Sequence, residues 1–254
     1  MKNSAPRVRT RSRAVEDYLK AIYKLQQSGS PVSTTGLAEE LKRSPASVTN
    51  MVKALAEQGL LEHEPYHGAR LTPSGELYAL LVLRRHRVLE LYLIEKLGYT
   101  WDDVHEEAER LEHAAGDGLI DRMARALGEP RFDPHGSPIP TREGEVASTA
   151  ELLRLCDLPP RVTAVVREVS DESSDGLRSL GSLGLFPGTR VRIADGGDRA
   201  SGEESERELV LEIGRETHRL SHELARTVSV EVLSAGVPRT HSTSERESMT
   251  SHEP

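Results

Sequence analysis

The sequence predicts an α+β chain in three parts: a winged helix-turn-helix over residues 13–72, an all-α unit over 73–135 and a small β-barrel over 151–235. Three patterns carry that prediction. The first 72 residues hold three short runs of helical spacing, then two short runs around a turn. A leucine-rich stretch follows, continuous to about Leu97. From Arg161 the character changes to β-branched runs separated by glycine-marked turns.

Val15, Leu19, Ile22, Tyr23 and Leu25 recur on one helical face, and Ser28-Gly29-Ser30-Pro31 stops that helix. A short helix is expected from Thr35 to Leu41. Ser44 then offers a capping hydroxyl, Pro45 suits the first helical position, and Val48, Met51, Val52 and Leu55 share a face. Gln58-Gly59 supplies a left-handed stop. The runs 60–64 and 69–72 flank Pro65-Tyr66-His67-Gly68 and read as a hairpin.

Thr72-Pro73-Ser74-Gly75-Glu76 opens the long helix, in which Leu77, Leu80, Leu81, Leu83, Val88, Leu91, Leu93 and Ile94 cover most of the circumference. That much apolar surface asks for burial on more than one side, by the chain's own packing and by a second copy. Gly98-Tyr99 breaks the helix. Thr100-Trp101-Asp102-Asp103 has the spacing of a capping box, and the helix after it is expected to reach about Gly116, with another over 117–127. Residues 128–148 are rich in proline and glycine, and 136–150 are expected to be a linker. A short helix or turn is expected over 151–155. Residues 1–12 are expected to be a basic flexible arm and 236–254 a disordered tail.

Composition narrows the function. No apolar run is long enough to span a membrane, and the first residues lack the apolar stretch of a secretory signal. The one cysteine, Cys156, has no partner for an internal disulfide, which suits a reducing cytoplasm. The net charge of −8 is unevenly spread: residues 1–70 hold 11 Lys or Arg against 7 Asp or Glu. The N-terminal third can therefore approach phosphates although the whole chain is acidic.

The chemistry-bearing residues cluster on the two helices after the hairpin. His86 and Glu90 are four apart, and His105, Glu109, Glu112 and His113 follow one stripe of the next helix. Histidines and carboxylates so placed could hold one or two divalent ions. The same stripe also reads as a solvated charged face, since Glu106, Glu107 and Arg110 lie beside it. Enzyme readings find less support: a glycine-rich phosphate loop and a Gly-x-Ser-x-Gly elbow are both missing. A metal-independent winged-helix regulator with an apolar ligand pocket stays open beside them.

Four segments lift the ambiguity. They are Glu16-Asp17-Tyr18-Leu19-Lys20-Ala21-Ile22-Tyr23, Arg84-Arg85-His86-Arg87-Val88-Leu89-Glu90, the run from Val104 to His113, and Asp133-Pro134-His135-Gly136-Ser137-Pro138-Ile139-Pro140. In this order and spacing they resemble the diphtheria-toxin-repressor family of metal-dependent regulators, over about residues 13–235. The run from Leu180 to Val191 resembles the SH3-like module shared with ferrous-iron-transport accessory proteins.

The resemblance implies a homodimer that binds palindromic double-stranded DNA operators of metal-uptake genes when a divalent metal is bound. It implies a regulatory site of Asp17, Glu109, Glu112 and His113 and an ancillary site of His86, Glu90 and His105. The iron-responsive branch has methionine and cysteine where this chain has Asp17 and Glu109, so the carboxylates resemble the manganese branch. Hard oxygen donors remove the preference for softer, later metals, which makes Mn2+ the expected ion and Fe2+ the alternative. Lys20 stands where some manganese regulators carry a further carboxylate, which favours two split sites. Family members whose SH3-like unit donates to the ancillary site use Glu and Gln; here the segment is Ser173-Ser174-Asp175-Gly176. Glu172 or Asp175 is a possible substitute, and a solvated turn is the other reading. The third helix is the implied DNA reader, through Ser44, Ala46, Ser47, Thr49, Asn50 and Lys53, with Arg43, Tyr66, His67 and Arg70 on the backbone.

Overall fold

The computed structural model describes residues 12–64, 67–147, 151–170, 173–194 and 208–233. Its first unit comprises α1 (Arg13–Ser28), α2 (Thr34–Glu40), α3 (Pro45–Glu57) and the antiparallel hairpin β1 (Leu61–Glu64) with β2 (Gly68–Leu71). The caps form as the residue types demand. Ser33 Oγ accepts from Gly36 N at 3.0 Å, Ser44 Oγ accepts from Ser47 N at 3.3 Å, and Pro45 opens α3. Leu19, Ile22, Leu37, Val48, Val52 and Leu55 form one sealed core. α1 spends its apolar face there, which turns Glu16, Asp17 and Lys20 toward the next unit.

Thr72 joins the two units. Its hydroxyl accepts from Gly75 N at 3.1 Å and donates to Gly59 O at 2.8 Å. Gly75 is required because a Cβ there would overlap the Leu60 carbonyl. α4 (Pro73–Leu97) has 25 residues, hence a length of about 37 Å. Ala79 meets the winged-helix core, while Val88 and Leu89 pack with Ala108 of α5 (Val104–Leu111) and with Ile120 and Ala124 of α6 (Asp117–Ala126). Leu77, Leu81, Leu83, Leu91 and Ile94 stay half-buried, and Leu97, Leu111 and Leu119 are exposed. One chain thus covers only part of the apolar surface that the sequence promised.

Two expectations need correction here. The capping box does not close: the Thr100 hydroxyl meets the Asp103 carboxylate at 3.2 Å, and Asp103 caps α5 without a side-chain bond. α5 also ends at Leu111, short of Gly116, where Ala114 N bonds back three residues to Leu111 O in a tightened turn. Glu112 keeps helical angles as the C-cap, so the stripe survives to that point.

Residues 131–140 hold no regular element, yet they are firmly docked. Arg87 donates to Pro138 O at 2.6 Å and Arg84 to Pro140 O at 2.9 Å, while Asp133, His135 and Ile139 are buried. Gly136, at φ 92, lies so close to Arg167 O that any Cβ would collide.

The C-terminal unit is a six-stranded antiparallel sheet in the order β3-β8-β4-β5-β6-β7. Its strands are β3 (Leu153–Arg154), β4 (Thr163–Val169), β5 (Arg190–Ile193), β6 (Glu208–Ile213), β7 (Glu216–Ser221) and β8 (Val228–Val232). The turn expected at Ser173-Ser174-Asp175-Gly176 is instead the start of a helix, α7 (Ser174–Ser182), capped by Ser173. Ser, Asp and Gly serve turns and helix caps alike, and burial of Leu177 and Leu180 decides for the helix. Residues 151–155 give β3 and the start of a 3-10 turn (Leu155–Asp157) in place of the expected helix or turn. Neither β7 nor α8 (His222–Arg226) was expected, because β7 buries one apolar residue, Leu220, and so shows little alternation. Trp101, just before α5, docks this unit on the helical one. Its ring stacks on His135 at 5.4 Å and meets Phe186 at 4.8 Å, beside an Arg178–Asp102 ion pair of 3.1 Å.

Candidate metal centre and nucleic-acid interface

Helical spacing on α4 and α5, and the turn of α1 away from its own core, bring all seven predicted ligand residues into one cluster. Two groups have donor atoms within 4.8 Å of one another: Asp17, Glu112 and His113, and His86, His105 and Glu109. Glu90, fully buried, reaches His86 Nε2 at 2.9 Å and His105 Nδ1 at 3.2 Å. Glu109 therefore stands with His86 and His105 in this arrangement, not with Asp17. Glu112 joins the groups: Oε1 lies 3.4 Å from His113 Nε2, and Oε2 is 2.6 Å from His86 Nδ1.

The charges are poised for a cation. Burial pulls the His86 pKa down, but the Glu90 charge and the hydrogen bonds to Glu112 and Glu90 outweigh it and push it up to about 10. Both ring nitrogens then donate to carboxylates, so a proton pair stands where an ion could. Burial opposes ionisation of Glu90 and Glu112, yet the facing groups hold both carboxyls below the usual range: the His86 charge leads for Glu90, the His86 hydrogen bond and the Lys20 charge for Glu112. Asp17 differs. Burial raises its pKa by more than His113, Lys20 and Arg13 lower it, so its charge lacks full compensation.

Three buried polar atoms show what the cluster lacks. His113 Nε2 has no hydrogen bond, although Asp17 Oδ1 is 2.9 Å away. Glu90 Oε2 and His135 Nδ1 are also without one, and they lie 3.8 Å apart. Native proteins rarely leave such atoms unpaired. An imidazole nitrogen beside carboxylates, with oxygen and nitrogen donors throughout, fits a divalent metal ion.

Reading the sequence missed two residues here. His135, buried with its Nε2 2.8 Å from Trp101 O, aims Nδ1 into the cluster. Its signal was its place in the family-like segment Asp133–Pro140, since a loop offers no periodicity to mark a ligand. Glu16 holds His113 Nδ1 at 2.7 Å and takes a 2.6 Å bond from Arg85. A carboxylate behind an imidazole fixes its tautomer and raises its basicity. Glu16→Gln is expected to lower divalent-ion affinity by about 10–100-fold with the fold retained, as read by calorimetric titration.

On the reader side, Arg43, Ser44, Ala46, Ser47, Asn50 and Lys53 are exposed along the start of α3, with Thr49 half-buried. Two hydroxyls already have local work, Ser44 as the cap and Thr49 donating to Pro45 O at 2.8 Å. His67 and Arg70 are exposed on the hairpin, and Tyr66 lies outside the described residues.

A winged helix, a helical unit carrying a His/carboxylate cluster and a six-stranded C-terminal sheet define a metal-responsive DNA-binding regulator. Three family descriptions match in series: iron dependent repressor, N-terminal DNA binding domain, over residues 11–69; iron dependent repressor, metal binding and dimerisation domain, over 72–141; and FeoA domain, over 153–232. The iron-dependent repressor IdeR of Mycobacterium bovis is 31% identical over 229 residues, 85% of this chain and 96% of that protein. A manganese-dependent transcriptional repressor solved in complex with manganese superposes with a TM-score of 0.77 at 37% identity, covering 86% of this chain and all of the other. The repressor ScaR with bound Zn2+ superposes at 0.72 with 30% identity, covering 86% of this chain and 99% of the other. The chain belongs to the iron-dependent (diphtheria toxin) repressor family and is a metal-dependent transcriptional repressor.

Proposed function

We propose that this repressor responds to manganese, held by Asp17, Glu112 and His113 with Glu109 drawn in, while His86, Glu90, His105 and His135 form an ancillary site. The observation that carries the reading is the unpaired His113 Nε2 facing Asp17 at 2.9 Å, because it joins the DNA-binding unit to the helical one. Both ion-sized groups contain only nitrogen and oxygen donors, which favours Mn2+ over ions that prefer sulfur. Fe2+ is the second reading, favoured by the likeness to IdeR.

A bound divalent ion would supply charge neutralisation and a fixed joint between its ligands. The residues do the rest. Asp17 reports from α1, which carries the reader helix on its core, and Glu112 and His113 report from the end of α5. Closing them on one point fixes the reader helices of a homodimer about one DNA turn, about 34 Å, apart. α1 is also tied to the helical unit without Asp17, by Glu16 to Arg85 and His113, so the ion tightens an existing joint. Ser47, Asn50 and Lys53 then meet base edges and phosphates of a palindromic operator, with Arg43, Tyr66 and Arg70 on the backbone. Cytoplasmic repression of metal-uptake genes follows, with no catalytic step. Among the described residues no helix is long and apolar enough to cross a membrane.

Operator binding titrated with Mn2+, Fe2+, Zn2+ and chelator tests the reading. Binding is expected to be weak in chelator and restored at the lowest concentration by Mn2+. Chelator-insensitive binding would mark a metal-independent regulator, and stronger activation by Fe2+ would reverse the metal assignment.

A further inference from the structure

Two of the carboxylates proposed for the regulatory ion are held in this structure by a cation of the chain itself. Lys20 Nζ donates to Glu112 Oε1 at 2.7 Å and to Glu109 Oε1, with its side chain only 16% exposed. Asp17 and Lys20 are three apart on α1 and face the same way. The ammonium sits at the seam of the cluster, because Glu112 belongs to one ion-sized group and Glu109 to the other. Held there, Glu109 Oε1 stays 3.9 Å from His86 Nδ1 and 4.0 Å from His105 Nε2, outside the Asp17 group. The bond also spans α1 and the end of α5, the same two bodies that the ion is proposed to join.

We propose that Lys20 is a tethered competing cation: its ammonium neutralises Glu109 and Glu112 when divalent metal is scarce and swings out before they take the ion. This rests on the metal-responsive reading above. A lysine head is a compact charge on a flexible four-carbon stem, so it can leave without moving α1. The consequence is a threshold. Apparent affinity falls with the fraction of molecules whose site is open, so an ammonium in place about nine times in ten weakens metal binding about tenfold. Lys20 therefore sets the metal concentration at which the regulator responds.

The test uses the full chain as wild type, Lys20→Met, which keeps length but removes charge, and Lys20→Arg, which keeps charge. Mn2+ is titrated at fixed pH and ionic strength, with the free ion read by electron paramagnetic resonance. Lys20→Met is expected to bind Mn2+ about tenfold more tightly and Lys20→Arg to stay near wild type. No gain in Lys20→Met, or an equal gain in both, overturns the proposal. A second readout needs no variant: acylation of wild-type lysines, followed by mass spectrometry. Lys20 is expected to react severalfold faster in saturating Mn2+, and unchanged or reduced reactivity overturns the proposal even if Lys20→Met fails to fold. A wild type that binds no divalent ion removes the metal-responsive reading as well. One that binds normally while Lys20 shows neither effect removes only this inference.

Discussion

Asp17→Ala is expected to give an intact protein whose operator binding no longer tightens when manganese is added. The side chain is about one-third exposed and its ion-pair contacts are Arg13 at 3.9 Å and His113 at 2.9 Å, so its loss opens no apolar cavity. Its raised pKa shows that the metal-free protein gains little from this carboxylate. What disappears is the proposed ligand on the DNA-binding side of the joint. Coupling between two ligands is typically about 1–3 kcal/mol per site, or about 5–150-fold in affinity. A dimer that loses the contact at both sites should lose the whole metal-dependent gain. Operator isotherms with and without Mn2+, beside a thermal melt, read the result. A variant that still needs manganese, with unchanged affinity, contradicts the proposed joint.

Glu112→Gln is expected to be the most damaging single change in the cluster. Glu112 is fully buried, takes bonds from Lys20 and His86 and lies 3.4 Å from His113 Nε2. The amide keeps the shape but leaves the Lys20 and His86 charges facing a neutral group in a dry interior. Removing one partner of a buried ion pair typically costs about 3–5 kcal/mol. The Asp17 group loses a proposed ligand and His86 of the other group loses its Glu112 partner, so Mn2+ binding should fall, most at the first. Denaturant unfolding of the metal-free protein measures the first effect and calorimetric titration the second. Unchanged stability would mean that the His86 and Lys20 charges are neutralised elsewhere.

Much of this was legible because local rules and tertiary packing agree. Ser44-Pro45 opens α3 by cap chemistry alone, Gln58-Gly59 closes it, and Thr72-Pro73 opens α4. The stripe from His105 to Glu112 follows from helical period, and His113 follows it in the turn beyond α5. Where one residue type serves two structures, the sequence misleads: Ser173-Ser174-Asp175-Gly176 suits a turn as well as a cap, and only the buried leucines of α7 settle it. Thr100 and Asp103 have capping-box spacing, but their side chains bond each other and not the backbone amides, which leaves the box open. Contacts between distant segments are invisible to any local rule. His135 reaches Glu90 because residues 131–140 dock along α4, and Glu109 stands apart from the Asp17 group, bonded to Lys20. Glu16 received no role from the sequence, yet it is buried behind His113.

The central claim is best tested by manganese anomalous scattering from crystals of the metal-loaded dimer. One peak bonded jointly by Asp17, Glu112 and His113 is the predicted result. An ion held by Glu112 and His113 while Asp17 points away would contradict it, because α1 would then carry no ligand and metal occupancy could not set the spacing of the reader helices.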